Sequence, residues 1–267
     1  MYIVEFTVPG TFLVHEDREW AWKIGNLLSS LQDHFIEANL ALNLFNSAQA
    51  QTHQRFQGMR ERHMEEWERK QEIRQQVEAD FGGDIWNRDR WQAISDEADA
   101  RFKREKWAKG HLPREFEHNL SFIYAKAFLY ALDAFDKFLG VIAKDPLSPA
   151  VAVEQHTKIQ EAFPNLRGVR NTAQHLEDRA RGLGAGSRGK PPAPMDLKPI
   201  DNGLIRAPGG ALVLNSLNGS KYGSTMSDGH YGEVDVSIES LHKLKEVLHA
   251  VLHSFAWQGP AMNRPSA

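Results

Sequence analysis

The sequence predicts a mainly α fold, a helical bundle with a small β insertion before its last helix and a short N-terminal strand. Three observations predict it. Apolar residues recur at spacings of three and four along most of the chain, the period of one helix face. Glycine turns and short alternating runs are gathered in one late stretch. No apolar run approaches the roughly 20 residues that a membrane helix needs.

Residues 2–7 (YIVEFT) read as a strand, ended by Pro9-Gly10. A helix is expected from about Asp17, with Trp20, Ile24, Leu27, Leu31, Phe35, Ala38, Leu42 and Phe45 in one stripe. From about 50 to 80 the chain is rich in Gln, Glu and Arg. It reads as the same helix continuing into solvent, or as a second helix after a break near Gly58, ended by Gly82-Gly83. A helix over about 89–108 follows. The next helix starts after Pro113, and Phe116, Leu120, Ile123, Ala127, Ala131, Ala134, Phe138 and Val141 form its expected buried stripe. A short helix over about 149–162 stops before Pro164. Residues 165–183 read as one amphipathic helix with Leu166, Val169, Ala173, Leu176, Ala180 and Leu183 on its apolar side. A Gly/Pro-rich flexible linker is expected over 184–200, short strands over 201–236, and a final helix over 237–256. That helix needs an apolar partner, so docking onto the 1–183 bundle is preferred over a separate C-terminal domain.

The 267 residues carry a net charge of only −3, so no global field points to nucleic acid or an anionic membrane. The absence of cysteine excludes structural disulfides, thiolate metal sites and a cysteine nucleophile. With no signal-peptide pattern at the N-terminus, a cytoplasmic location without membrane contact is expected.

Several motifs have simple structural explanations. Gly184 to Lys190 matches the letters of phosphate-binding loops, but a helix precedes it and Pro191-Pro192 follows, so no helix N-terminus faces a phosphate. His242, His249 and His253 share a helical stripe with Glu246. Imidazoles one turn apart can share zinc, yet a solvated or interface stripe explains them more simply. Arg101, Lys103, Arg104, Lys106 and Lys109 surround Phe102 and Trp107, a pattern that can hold single-stranded nucleic acid but also describes a solvated helix face.

The chemistry-bearing candidate is Arg170-Asn171-Thr172-Ala173-Gln174-His175. On a continuous helix Asn171 lies one turn before His175, and Asp178 continues that line, where it could orient the imidazole through a ring N–H. This R-N-x-x-x-H segment, late in a run of helices, resembles the HEPN superfamily (higher eukaryotes and prokaryotes nucleotide-binding). The resemblance covers roughly 17–183 plus 237–256 and does not explain the N-terminal strand, the charged 50–110 region or the β insertion. It implies a bundle of four or five helices and a metal-independent endoribonuclease without cofactors, often of a toxin–antitoxin or antiphage system. Its motifs would meet across a homodimer interface, and an antitoxin or other protein partner is possible. His175 would then be the general base or acid, Arg170 would stabilise the phosphoryl charge, and Asn171 would position the phosphate or the histidine. Arg167 and Arg179 would grip flanking phosphates of the RNA. The alternative is a non-catalytic interaction or dimerisation module that uses the charged 50–80 helix.

Overall fold

A computed structural model describes residues 1–57, 59–82, 88–186 and 191–266, with the backbone alone at 53–57, 59–62 and 88. Gly58, Gly83 and Ser187–Lys190, which the sequence reading invoked, lie outside the described residues. The fold is mainly α, as expected, with a few small strands. The chain forms two units, residues 1–45 with 122–267, and residues 46–121.

In the larger unit, helix α1 (Arg18–Gln57) starts as predicted. The Asp17 carboxylate accepts the backbone N–H groups of Glu19 and Trp20, a side-chain N-cap. Its stripe of Trp20, Ile24, Leu31, Phe35, Ala38, Leu42 and Phe45 is buried. Helix α4 (Arg114–Lys144) buries a different face from the one expected. Phe128, Leu129, Leu132, Phe135, Leu139 and Ile142 enter the core, while Phe116, Ile123 and Val141 are 62%, 56% and 54% exposed. Apolar residues lie on both sides of this helix, so periodicity offers two faces and the tertiary partners choose one. Helices α5 (Ala150–Ala162) and α8 (Ile238–His253) pack on each other and share that core. Ser237 caps α8 by accepting the Ser240 N–H, and Leu241, Leu244, Leu248 and Leu252 lie in the core shared with α1 and α4, so the final helix docks on the bundle.

The predicted helix over 165–183 is two helices, α6 (Leu166–Gln174) and α7 (Leu176–Ala180), broken at His175 with φ −124° and ψ 44°. The continuous apolar back therefore fails beyond α6. Leu166 and Val169 are buried but Ala180 is exposed.

The N-terminal strand is shorter than predicted. Strands β1 (Phe6–Val8) and β2 (Phe12–Leu13) pair antiparallel with two unforeseen C-terminal strands, β9 (Met262–Arg264) and β8 (Trp257–Gln258) respectively. Residues 2–4 are held by side chains instead. The Asn39 carbonyl accepts the Val4 N–H, and the Asn39 and Asn43 amides donate to the Tyr2 carbonyl. The β insertion has a two-residue pair, β3 (Ile200–Asp201) with β4 (Arg206–Ala207), and a three-stranded meander, β5 (Ser216–Asn218), β6 (Lys221–Thr225) and β7 (Tyr231–Asp235). This meander packs on α6, where the Thr172 hydroxyl donates to the Thr225 carbonyl at 3.1 Å. Gly168 lets the surfaces approach, since a Cβ there would lie 2.2 Å from Met226 Sδ. The described ends of the expected flexible linker are tied down by Gly184 N–H to Ala193 O and Met195 N–H to Gly182 O.

In the smaller unit, α2 (Met59–Phe81) and α3 (Arg88–Ala108) form a hairpin. Ile73, Val77, Ile94 and Ala98 make its own small core. Ion pairs Arg69–Glu105, Lys106–Glu66, Lys70–Asp99 and Arg101–Asp80 run along it. Arg69 holds the Glu105 carboxyl down at about 2, with help from Lys109. Much of the basic run over 101–109 is thus paired with carboxylates, as a solvated helix face would be.

Candidate functional site

The polar residues of the R-N-x-x-x-H segment are held from three directions. Arg170 leaves α6 towards α4, where its Nε lies 2.9 Å from Asp133 Oδ2. Both side chains are nearly buried, 12% and 9% exposed. The Nε atom nonetheless has no aligned hydrogen bond, so the contact is a charge pair rather than a directed bond. The Arg170 Nη1 donates to Gln174 Oε1 at 2.6 Å, one turn along α6. Lys137 Nζ sits 2.7 Å from the same Asp133 oxygen.

His175 is the break itself. Its backbone N–H still closes onto Asn171 O and Thr172 O, while its φ and ψ leave the helical region. The imidazole is 56% exposed and its Nδ1 lies 3.7 Å from Glu177 Oε1. Ligand atoms of His175, Glu177 and Asp178 lie within 4.8 Å of one another. Asp178 also accepts from Arg181 Nη2 at 2.5 Å. At 3.7 Å, with both side chains exposed, the Glu177 carboxylate is a loose charge neighbour of the imidazole and lies beyond hydrogen-bond reach. The carboxylate nearest it is Glu177, which sequence reasoning passed over in favour of Asp178.

The remaining predicted residues separate. Asn171 is half-buried, and its carbonyl joins the α6 C-terminus to His175. Arg167 is exposed and remains available to an anion. Arg179 is not, being 3% exposed with its Nη1 donating to the carbonyls of Leu183 and Gly184 at 2.7 Å each. That bond set closes the end of α7, so Arg179 is a structural staple rather than a phosphate grip. Among the described residues no hydrogen bond or ion pair joins Arg170 to His175 directly.

Sequence reasoning missed a second polar group next to Asp133. Asp136 Oδ1 on α4 lies 3.1 Å from His156 Nε2 on α5, both largely buried. Burial pushes the Asp136 carboxyl above its ordinary range, His156 opposes that shift, and the neighbouring Asp133 adds to it. Gly140 admits the imidazole, since a Cβ there would lie 2.9 Å from His156 Nε2. The available signal was Asp133 and Asp136, two carboxylates three residues apart inside the most apolar helix of the chain.

The histidines of α8 do not converge. His242 Nε2 is bonded to the Tyr2 hydroxyl at 2.6 Å, whereas His249 and His253 stack at 3.9 Å. Burial lowers the His249 pKa, and His253 and Lys245 lower it further. Among the described residues, no helix is long and apolar enough to cross a membrane. No family model, curated protein or solved structure matches this chain.

Proposed function

We propose that the chain is a HEPN-like, metal-independent endoribonuclease acting as a homodimer, with Arg170 and His175 as its catalytic pair. One observation supports this reading above the others. An exposed imidazole stands at the end of α6 while the preceding turn carries a guanidinium braced from α4 by Asp133. In this reading His175 takes the proton of a ribose 2′-OH as that oxygen attacks phosphorus. The phosphorus–5′-oxygen bond breaks, leaving a 2′,3′-cyclic phosphate, and the departing oxygen takes a proton from His175 of the second protomer. Arg170 has engaged Nε and Nη1 and keeps further N–H groups to stabilise the phosphoryl charge. Asn171 positions the phosphate or His175, and Arg167 binds a flanking phosphate.

The test is cleavage of mixed cellular RNA in the presence of EDTA by wild type, His175→Ala and Arg170→Ala, with product ends read by mass spectrometry. Loss of about 100-fold or more in each folded variant, with cyclic phosphate ends, is the expected result. Cleavage equal to wild type in both variants would sink the assignment.

A second reading, a non-catalytic interaction module, draws on the α2–α3 hairpin. Trp67, Trp91 and Trp107 are 54%, 47% and 48% exposed there, although Arg74 lies over the Trp91 ring at 5.2 Å. Exposed aromatic residues of this kind suit a protein partner.

A further inference from the structure

The larger unit carries a cleft of about 700 Å³ that shares no residue with the Arg170–His175 segment. Two walls give it its shape. One is a face of α1, on which Arg18, Trp22, Gly25, Ser29 and Gln32 recur at spacings of four and three. The other is the chain over residues 10–15, with the strands β8 and β9 that pair with β2 and β1. From Arg18 to Gln32 the helix rises by roughly 21 Å, so the cleft is a long groove rather than a compact pocket. Its ends are marked by other contacts. His15 packs on Trp20 at the start of α1, and Arg264 approaches Asp33, next to Gln32, at 3.9 Å.

Four features of the lining point to one occupant. The first is length. At about 3.3 Å per residue, the groove holds an extended chain of about six or seven residues. The second is the wall over 10–15. Alternate side chains of an extended chain point to opposite faces, so six consecutive residues line one groove where the main chain itself is presented to it. A main chain on a groove wall is what an incoming extended peptide pairs with. The third is charge. The lining contains no Asp or Glu, and its two arginines, Arg18 and Arg264, stand at opposite ends, with His15 at the Arg18 end. Asp17 beside Arg18 is occupied as the α1 cap, and the Asp33 contact of Arg264 is loose. Between the two ends the lining has no Lys or Arg. A nucleic-acid strand carries a charge at every residue and needs cations along its whole length, whereas a peptide with carboxylates at its two ends needs them only there. The fourth is the middle of the groove. Phe12 and Trp22 line it while remaining 70% and 68% exposed, and exposed aromatic side chains are the common anchors of a partner chain. Gly25 keeps this middle open. A glycine inside a helix is less favourable than an alanine, and packing does not require this one, since a Cβ there would meet only Leu13 Cδ1, at 3.9 Å.

We propose that this groove binds an extended peptide segment of a partner protein, acidic at both ends and apolar between them. Its carboxylates lie with Arg18 and Arg264, and its apolar side chains lie on Trp22 and Phe12. The proposal is independent of the ribonuclease reading, because none of its residues belongs to the Arg170–His175 segment.

The experiment is selection of displayed random heptapeptides on the full chain, followed by fluorescence anisotropy with the enriched peptides. These are expected to carry Asp or Glu near both ends and Leu, Ile, Phe or Trp between them, and to bind wild type and His175→Ala alike. Trp22→Ala and Gly25→Gln are expected to bind them at least about tenfold more weakly. Gly25→Gln removes a helical glycine, so its melting temperature should equal or exceed that of wild type while binding falls. The double variant Arg18→Glu/Arg264→Glu, taken through the same selection, is expected to enrich peptides with Lys or Arg at their ends. No enrichment by wild type over the bare support, the same peptides enriched by the double variant, or undiminished binding by Gly25→Gln overturns the proposal. Displacement of the enriched peptides by a single-stranded deoxyoctamer assigns the groove to a nucleic-acid strand. A dimer that Gly25→Gln converts to monomer in sedimentation assigns it to a second copy of the chain, and either of these results also overturns the proposal.

Discussion

The Asp133–Arg170 pair offers the most direct check on the placement of the candidate site. Arg170 and Asp133 are 12% and 9% exposed, so neither side chain is well hydrated. Breaking a buried pair by removing one partner costs about 3–5 kcal/mol when the other charge is stranded. Two contacts reduce that figure here. Arg170 keeps its Gln174 bond, and the Nε approach to Asp133 is not an aligned hydrogen bond. Asp133→Asn is therefore expected to cost about 2 kcal/mol. In a unit of this size that lowers the melting temperature by roughly 4–8 °C. Arg170→Met is expected to cost less, about 1–2 kcal/mol, because Lys137 remains 2.7 Å from Asp133. If the two side chains interact as placed, the double variant loses at least about 1 kcal/mol less than the sum of the singles. Chemical denaturation of the four proteins measures this cycle. Additivity within about 0.3 kcal/mol would refute the pairing, and with it the placement of Arg170 against α4. The same cycle separates stability from chemistry, since a nuclease defect in Asp133→Asn at a temperature where it is folded assigns Asp133 to positioning Arg170.

Two further outcomes are expected. Arg179→Met removes the charge-assisted donor to the Leu183 and Gly184 carbonyls and should destabilise by about 3 kcal/mol, read as a fall in melting temperature, whereas a change under about 0.5 kcal/mol would mean that the guanidinium does not staple α7. The Asp136 carboxyl is held above its ordinary range chiefly by burial, so between the usual carboxylate pKa near 4 and its raised value the folded state binds more protons than the unfolded. Its contribution to stability is complete below the ordinary value and is lost as pH rises through the raised one. Asp136→Asn should then be more stable relative to wild type at pH 7 than at pH 3.5, and melting curves showing the reverse order would contradict the burial of that carboxyl.

Much of the architecture follows from local chemistry. The Asp17 and Ser237 caps, the α1 stripe, the start of α4 after Pro113 and the final helix can be read without tertiary information, because capping and amphipathic spacing act within a few residues. The charged 50–110 region was legible as helix but not as a unit with its own core, since Ile73, Val77, Ile94 and Ala98 are too sparse to form a stripe and become a core only when α2 and α3 meet. For the candidate site, the sequence could name Arg170 and His175 but not where they point. A continuous helical period carried Asn171, His175 and Asp178 onto one line, whereas in the structure α6 ends at His175 and α7 starts afresh at Leu176. The fate of each arginine was likewise non-local. Arg167, Arg170 and Arg179 are alike in sequence, yet one is in solvent, one is paired with Asp133 on a helix some forty residues earlier, and one is buried against carbonyls. Composition and period therefore determined the helices and the polar segment. The tertiary structure decided which face of α4 is buried, where the helix breaks and which charges remain available, because burial and charge pairing depend on residues far apart in the chain.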